Sequence, residues 1–136
     1  MKKTIFIFFC ALIISVAGCG KKDQIDEKEM YRLASSLTKL AKVVEATVRY
    51  KKPPEKISDS DLLKLACERD PKLLEPFKKY TVKVHKEKRH AIVLVCTSNG
   101  KRGLLEDAGC TAKMDKHLWK SSVACKFTLK VKNICK

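Results

Sequence analysis

The feature that most constrains this chain is a change of hydrophobic period near Tyr80. Before it, Met30, Leu33, Ala34, Leu37, Leu40, Ala41, Val44 and Val48 recur at three- and four-residue steps, which puts them on one stripe of a helix. After it, Tyr80, Val82 and Val84 alternate with Thr81, Lys83 and His85, the period of a half-buried strand. Helices first and strands second predict an α+β domain, with helices packed on one face of an antiparallel sheet. The expected architecture is a long N-terminal amphipathic helix and one or two short helices on a small antiparallel sheet of about four strands.

The long helix is expected over residues 26–50 and must stop at Pro53-Pro54, because proline lacks the amide proton a helix needs. Its stripe carries no Trp or Phe, the anchors of interfacial helices, so it is read as covering the protein's own core. Ser58 and Asp61 suit a helix cap before Leu62, Leu63, Leu65 and Ala66. Asp70-Pro71 reads as a break and restart that turns Leu73, Leu74 and Phe77 inward.

Residues 91–96 are apolar on both faces, which predicts a central strand, and Asn99-Gly100 predicts a hairpin turn back along residues 102–106. Residues 107–122 have no steady period and read as a long connection with a helical turn near residues 113–119. A last strand is expected over residues 124–131, with Cys125, Phe127, Leu129 and Val131 inward and Lys126, Thr128, Lys130 and Lys132 outward.

The first residues obey a different grammar. Lys2-Lys3 precede an apolar run, residues 5–16, that ends in Ala17-Gly18 just before Cys19. About a dozen apolar residues suit a secretory signal, whereas a transmembrane helix needs about 20. Val16-Ala17-Gly18-Cys19 resembles the lipobox of bacterial lipoproteins, departing from it in Val16 where leucine is most frequent. The resemblance implies that residues 1–18 are cleaved and that Cys19 is lipidated. Two or three acyl chains hold a protein on a membrane, where one is marginal. Gly20 takes the place of the aspartate that retains such proteins in the inner membrane of enteric-type bacteria. By that resemblance the outer membrane, facing the periplasm, is the expected location, with the cell surface as the alternative. Residues 19–25 would be the lipidated tether and residues 26–136 a single basic domain.

The formal charge is +15, and it falls to +13 when Lys2 and Lys3 leave with the signal. Such an excess favours anionic surfaces, and Lys39, Lys42, Lys126, Lys130 and Lys132 are expected on solvent faces. Lysine far outnumbers arginine, which argues against a specific phosphate or base reader, and so against specific nucleic-acid recognition, because arginine's bidentate fork is favoured at such sites. The expected partners are the membrane, through Cys19, a protein of the envelope, and polyanions bound weakly.

After Cys10 is lost and Cys19 lipidated, Cys67, Cys96, Cys110, Cys125 and Cys135 remain. An odd number in an oxidising compartment predicts two disulfides and one thiol. Cys110–Cys125 is the preferred pair, closing the irregular connection. The second bridge is expected to join Cys67 to Cys96, or one of them to Cys135. No CxxC, CxxH or HxxxH spacing occurs, so no metal ligands or cofactor are assigned.

Chemistry is sparse. Glu106, Asp107, Asp115 and His117 lie near Cys110, a grouping that admits a cysteine nucleophile with a histidine base, although no local motif frames it. A disulfide at Cys110 would favour a binding module, and a free thiol there an enzyme. No catalytic residues are assigned. The expected function is a non-enzymatic binding or assembly module of the envelope, accessory to a secretion, pilus or conjugation apparatus, or an exclusion lipoprotein. The alternative is a small hydrolase or thiol enzyme using residues 106–117.

Overall fold

The computed structural model describes residues 25–112 and 115–136, so the segment that resembles a lipoprotein signal, Cys19 included, lies outside the described residues. Helix α1, Glu27–Ala46, is capped by Asp26, whose side chain accepts from the Lys28 amide. The stripe read from the sequence is the buried one: Met30, Leu33, Leu37, Leu40, Ala41 and Val44 are all within 3% of full burial. The last turn, Thr47–Lys51, widens to a π-helix and ends at Lys52 in the left-handed region, φ 46°. Pro53 and Pro54 follow.

Helix α2, Asp59–Ala66, is capped by Ser58, which accepts from the Asp61 amide. A 3₁₀ segment, Pro71–Phe77, is capped by Asp70 and buries Phe77. The sheet is an antiparallel meander, β1 Thr81–Glu87, β2 His90–Cys96, β3 Gly103–Ala108 and β4 Asp115–His117, in spatial order β1-β2-β3-β4. This is the α+β architecture expected. Among the described residues, no helix is long and apolar enough to cross a membrane.

β2 is apolar on both faces because both are covered. Ala91, Val93 and Val95 join the core beneath α1 and α2. Ile92, Leu94 and Cys96 face the other way, onto Leu118, Cys125, Phe127, Leu129 and Val131. Residues 123–130 form an extended strap across that second face and lead into a short helix α3, Val131–Ile134.

The strap corrects the expected last strand. Its alternation holds, with Cys125 and Val131 buried and Lys126, Lys130 and Lys132 exposed. It makes only one isolated bridge, Arg102 to Ala124, and joins no ladder. The buried carboxylate of Glu106 supplies the acceptors instead: Oε1 accepts from the Thr128 and Leu129 amides, each at 2.9 Å, and Oε2 from Thr128 Oγ1 at 2.8 Å. A carboxylate can only accept, so the match to two amides and a hydroxyl is complete. The fourth strand is β4, inside the stretch read as a connection. There it pairs with β3 through Leu105–His117 and Glu106–Lys116.

The disulfides are Cys96–Cys125 and Cys110–Cys135, with Cα separations of 5.7 and 5.6 Å. This overturns the expected Cys110–Cys125 bridge. Cys125 lies over the C-terminal end of β2, whereas Cys110 follows β3 beside the N-terminal end of β2, since Ala108 pairs with Ile92. Strand rise puts those ends about 20 Å apart, far beyond the ~7 Å that a disulfide spans. Cys67 cannot reach Cys96 because the sheet lies between them: Cys67 sits in the core on the helix side and Cys96 on the strap side. Cys67 is a buried thiol. Burial, and then the charge of Asp70, push its pKa up, which keeps it in the less reactive thiol form.

Peptide mapping without reductant is expected to recover the 96–125 and 110–135 linked peptides, with Cys67 alkylated only after denaturation. A 110–125 peptide, or rapid labelling of Cys67 in the folded protein, would contradict the arrangement.

Candidate functional site

The residues grouped in the sequence as a catalytic alternative do not converge. Glu106 faces the strap, and Thr128, which it binds, also accepts from Lys116 Nζ at 2.7 Å. Successive strand residues point to opposite faces, so Asp107 lies on the helix side, where it is buried. Cys110 is bonded to Cys135. His117 is also on the helix side, its ring centroid 5.3 Å from Tyr31 and 6.2 Å from Trp119. Lys120 caps that cluster, its Nζ donating to the Tyr31 hydroxyl at 3.2 Å. His117 thus packs edge-on against Tyr31, beside Trp119. The chemistry of Asp115's side chain lies outside the described residues.

A different constellation forms where α1 ends. Glu45, 6% exposed, closes the sheet onto the helix. Its Oε2 accepts from the Ala91 amide at 2.7 Å, and its Oε1 accepts from His90 Nδ1 at 2.6 Å and Arg49 Nη2 at 3.2 Å. Because the carboxylate only accepts, the Nδ1 proton belongs to His90. Glu45 thereby holds the His90 and Arg49 side chains and fixes their positions.

Above this network the surface is strongly basic. A cleft of about 760 Å³ opens between the exit of α1, which contributes Val48, Arg49, Lys52, Pro53 and Glu55, and the β1–β2 hairpin, which contributes Lys86, Lys88 and Arg89. Lys86 Nζ reaches across to the Pro54 carbonyl at 2.6 Å and ties the two walls together. A smaller recess shares Arg49 and Arg89 with His90 and Lys136. Five cations and one carboxylate line the main cleft.

His90 also belongs to a donor set that spacing could not show. His90, Cys110 and Cys135 bring their ligand atoms within 4.8 Å of one another. Both sulfurs are spent in the disulfide, and metals bind the thiolate, so the oxidised protein offers only the imidazole.

Comparisons with protein-family models, curated proteins and solved structures return no match to this chain.

None of the cleft residues was singled out as a site in the sequence. Lys51-Lys52 and Lys86 to Arg89 are basic runs, but each alone reads as solvated surface or turn. Lys39, Lys42, Lys126, Lys130 and Lys132 are exposed as expected.

Proposed function

We propose that this chain is a lipid-anchored lipoprotein of the bacterial envelope whose mature domain is a non-enzymatic binding or assembly module, accessory to a secretion, pilus or conjugation apparatus. The observation that carries the reading is the Ala17-Gly18-Cys19 ending of an apolar run too short to span a bilayer. Two disulfides support export, because such bonds persist in oxidising compartments. The domain begins with α1 at Glu27, a few residues beyond Cys19, so a lipid there would hold it close to the headgroups. Lys21 and Lys22 would add weak attraction to anionic lipid. Gly20 favours the outer membrane.

The bonding of Cys110 to Cys135 supports the binding module over the thiol enzyme, since a nucleophilic thiol at Cys110 is not present in the oxidised protein. Polyanion binding through the positive field belongs to the same reading. It would be weak and salt-dependent, because exposed charges are screened over about 8 Å at physiological ionic strength.

Cys19→Ser tests the anchor. In cells fed a labelled fatty acid, the parent chain is expected to take up label and run as the shorter mature form, while the variant takes up none and stays at precursor size. Equal labelling of the two would refute lipidation at Cys19.

A further inference from the structure

We infer that the cleft between the exit of α1 and the β1–β2 hairpin is a binding site for a phosphate-bearing anion. The inference deepens the polyanion-binding reading and rests on it for the sign of the ligand. It differs in placing recognition at one locus instead of over the whole lysine surface.

The cleft is unusually rich in arginine for this chain. The chain has five arginines among thirty basic residues, and two of them, Arg49 and Arg89, line this cleft together with Lys52, Lys86 and Lys88. Guanidinium forks match phosphate oxygens in pairs, and ammonium groups add point charges. At about 760 Å³ the cleft is of the size that small-molecule sites occupy. Glu55 is the one carboxylate on its lining, so a multiply charged anion would meet a net positive wall.

The backbone also breaks its own rules here, twice. Lys52 at φ 46° and Lys88 at φ 57° stand in the left-handed region, where glycine or asparagine serves better. Lys52 ends the π-helical turn that carries Arg49, and such turns are frequent at functional sites. Lys88 is in the hairpin connection between Glu87 and His90, where an Asn-Gly pair would close the turn with less strain. Lysine at both positions sacrifices local stability and adds like charge to one cleft. Departures of this kind are what functional positions look like.

Arg49 adds an orphaned donor. Arg49 Nε is buried and has no hydrogen-bond acceptor among the described residues. Arg102 Nε and Trp119 Nε1 share that condition, but only Arg49 lies on this cleft, where it also holds Glu45.

The test titrates the full chain in neutral detergent with inorganic pyrophosphate, by calorimetry and amide NMR. The parent is compared with a cleft triple variant, Lys52→Gln, Lys88→Gln and Arg89→Gln, and with a control of equal charge change, Lys126→Gln, Lys130→Gln and Lys132→Gln. Saturable binding is expected, at least about tenfold weaker in the cleft variant because charge-assisted bonds are lost, and within about twofold of the parent in the control. Equal weakening in both variants would overturn the site and leave only the distributed field. Mixed micelles with and without phosphatidic acid separate the sources: cleft-dependent binding to these alone assigns a lipid headgroup, and binding to neither probe overturns the proposal. Lys88→Gly guards against a folding defect, because glycine relieves the positive φ. It is expected to keep or raise the melting temperature while weakening binding, and a variant that binds like the parent would remove Lys88 from the site. None of these outcomes depends on whether Cys19 carries lipid, so failure of the cleft and failure of the anchor are read separately.

Discussion

Replacing Glu106 with alanine is expected to destabilise the domain by about 3 kcal/mol and to loosen residues 126–130 while both disulfides stay closed. Three hydrogen bonds to one buried carboxylate are lost together, and each such bond to a charged group contributes roughly 1.5–3 kcal/mol. The full sum is not expected, because Thr128 is exposed and water can reach its freed amide. The bridges at Cys125 and Cys135 also keep the strap near the sheet. Glu106→Gln retains one acceptor oxygen and should cost less, since only the partner of Thr128 Oγ1 has to change its role. Denaturant unfolding of the oxidised protein measures the loss, and hydrogen exchange at the Thr128 and Leu129 amides locates it. A loss under about 1 kcal/mol, with those two amides still protected, would mean that the strap is held by packing and disulfides alone.

The second large effect is expected at Gly109, where α1 comes closest to the sheet's end. A Cβ built there would lie 2.2 Å from the Ala41 carbonyl oxygen and 2.5 Å from Glu45 Cβ, far inside ordinary contact. One obstacle is helix backbone, so no side-chain rotation relieves it, and α1 would have to shift away from β2 and β3. Overpacking a core costs roughly 1–3 kcal/mol, and the rigidity of a long buried helix puts Gly109→Ala at the upper end, about 3 kcal/mol. The melting temperature is expected to fall by about 10 °C. Gly103→Ala serves as the comparison, because its Cβ would stand 3.1 Å from the Ala124 carbonyl and the Leu118 side chain. About 1 kcal/mol is expected there. Parity between the two variants would show that α1 yields more readily than its packing implies.

The helices were legible because each sequence signal names a physical partner. Ser58 and Asp70 cap the elements they were read to cap, and the Met30-to-Val48 stripe is the buried face. The two-sided apolar run at residues 91–96 correctly required cover on both faces. What covers the second face was misread, because alternation reports which side chains are buried and says nothing of what satisfies the backbone. At residues 128–129 that partner is the Glu106 side chain, 22 residues away or more. β4 was missed because Asp115-Lys116-His117 carries no apolar alternation and is a strand only through its pairing with β3. Disulfide partners and the basic cleft share a different obscurity. The walls of the cleft, Lys52 and Lys88, are distant in sequence, and only the folding of the hairpin against the helix exit turns two ordinary basic runs into one concave surface.

The two disulfides interleave along the chain, 96 with 125 and 110 with 135, and this has a consequence for survival among proteases. A single backbone cut anywhere from residue 97 to residue 134 falls inside at least one of the two covalent rings, so it opens a ring without releasing a fragment. Only a cut in the shared stretch, residues 111–124, opens both rings, and even there the two halves stay joined through both sulfur bridges. That stretch carries Lys113, Lys116 and Lys120, targets for a protease that cleaves after lysine. A nicked molecule would gain only the mass of one water and release no fragment until reduced, and would keep the Glu106-bound strap in place as a two-chain protein.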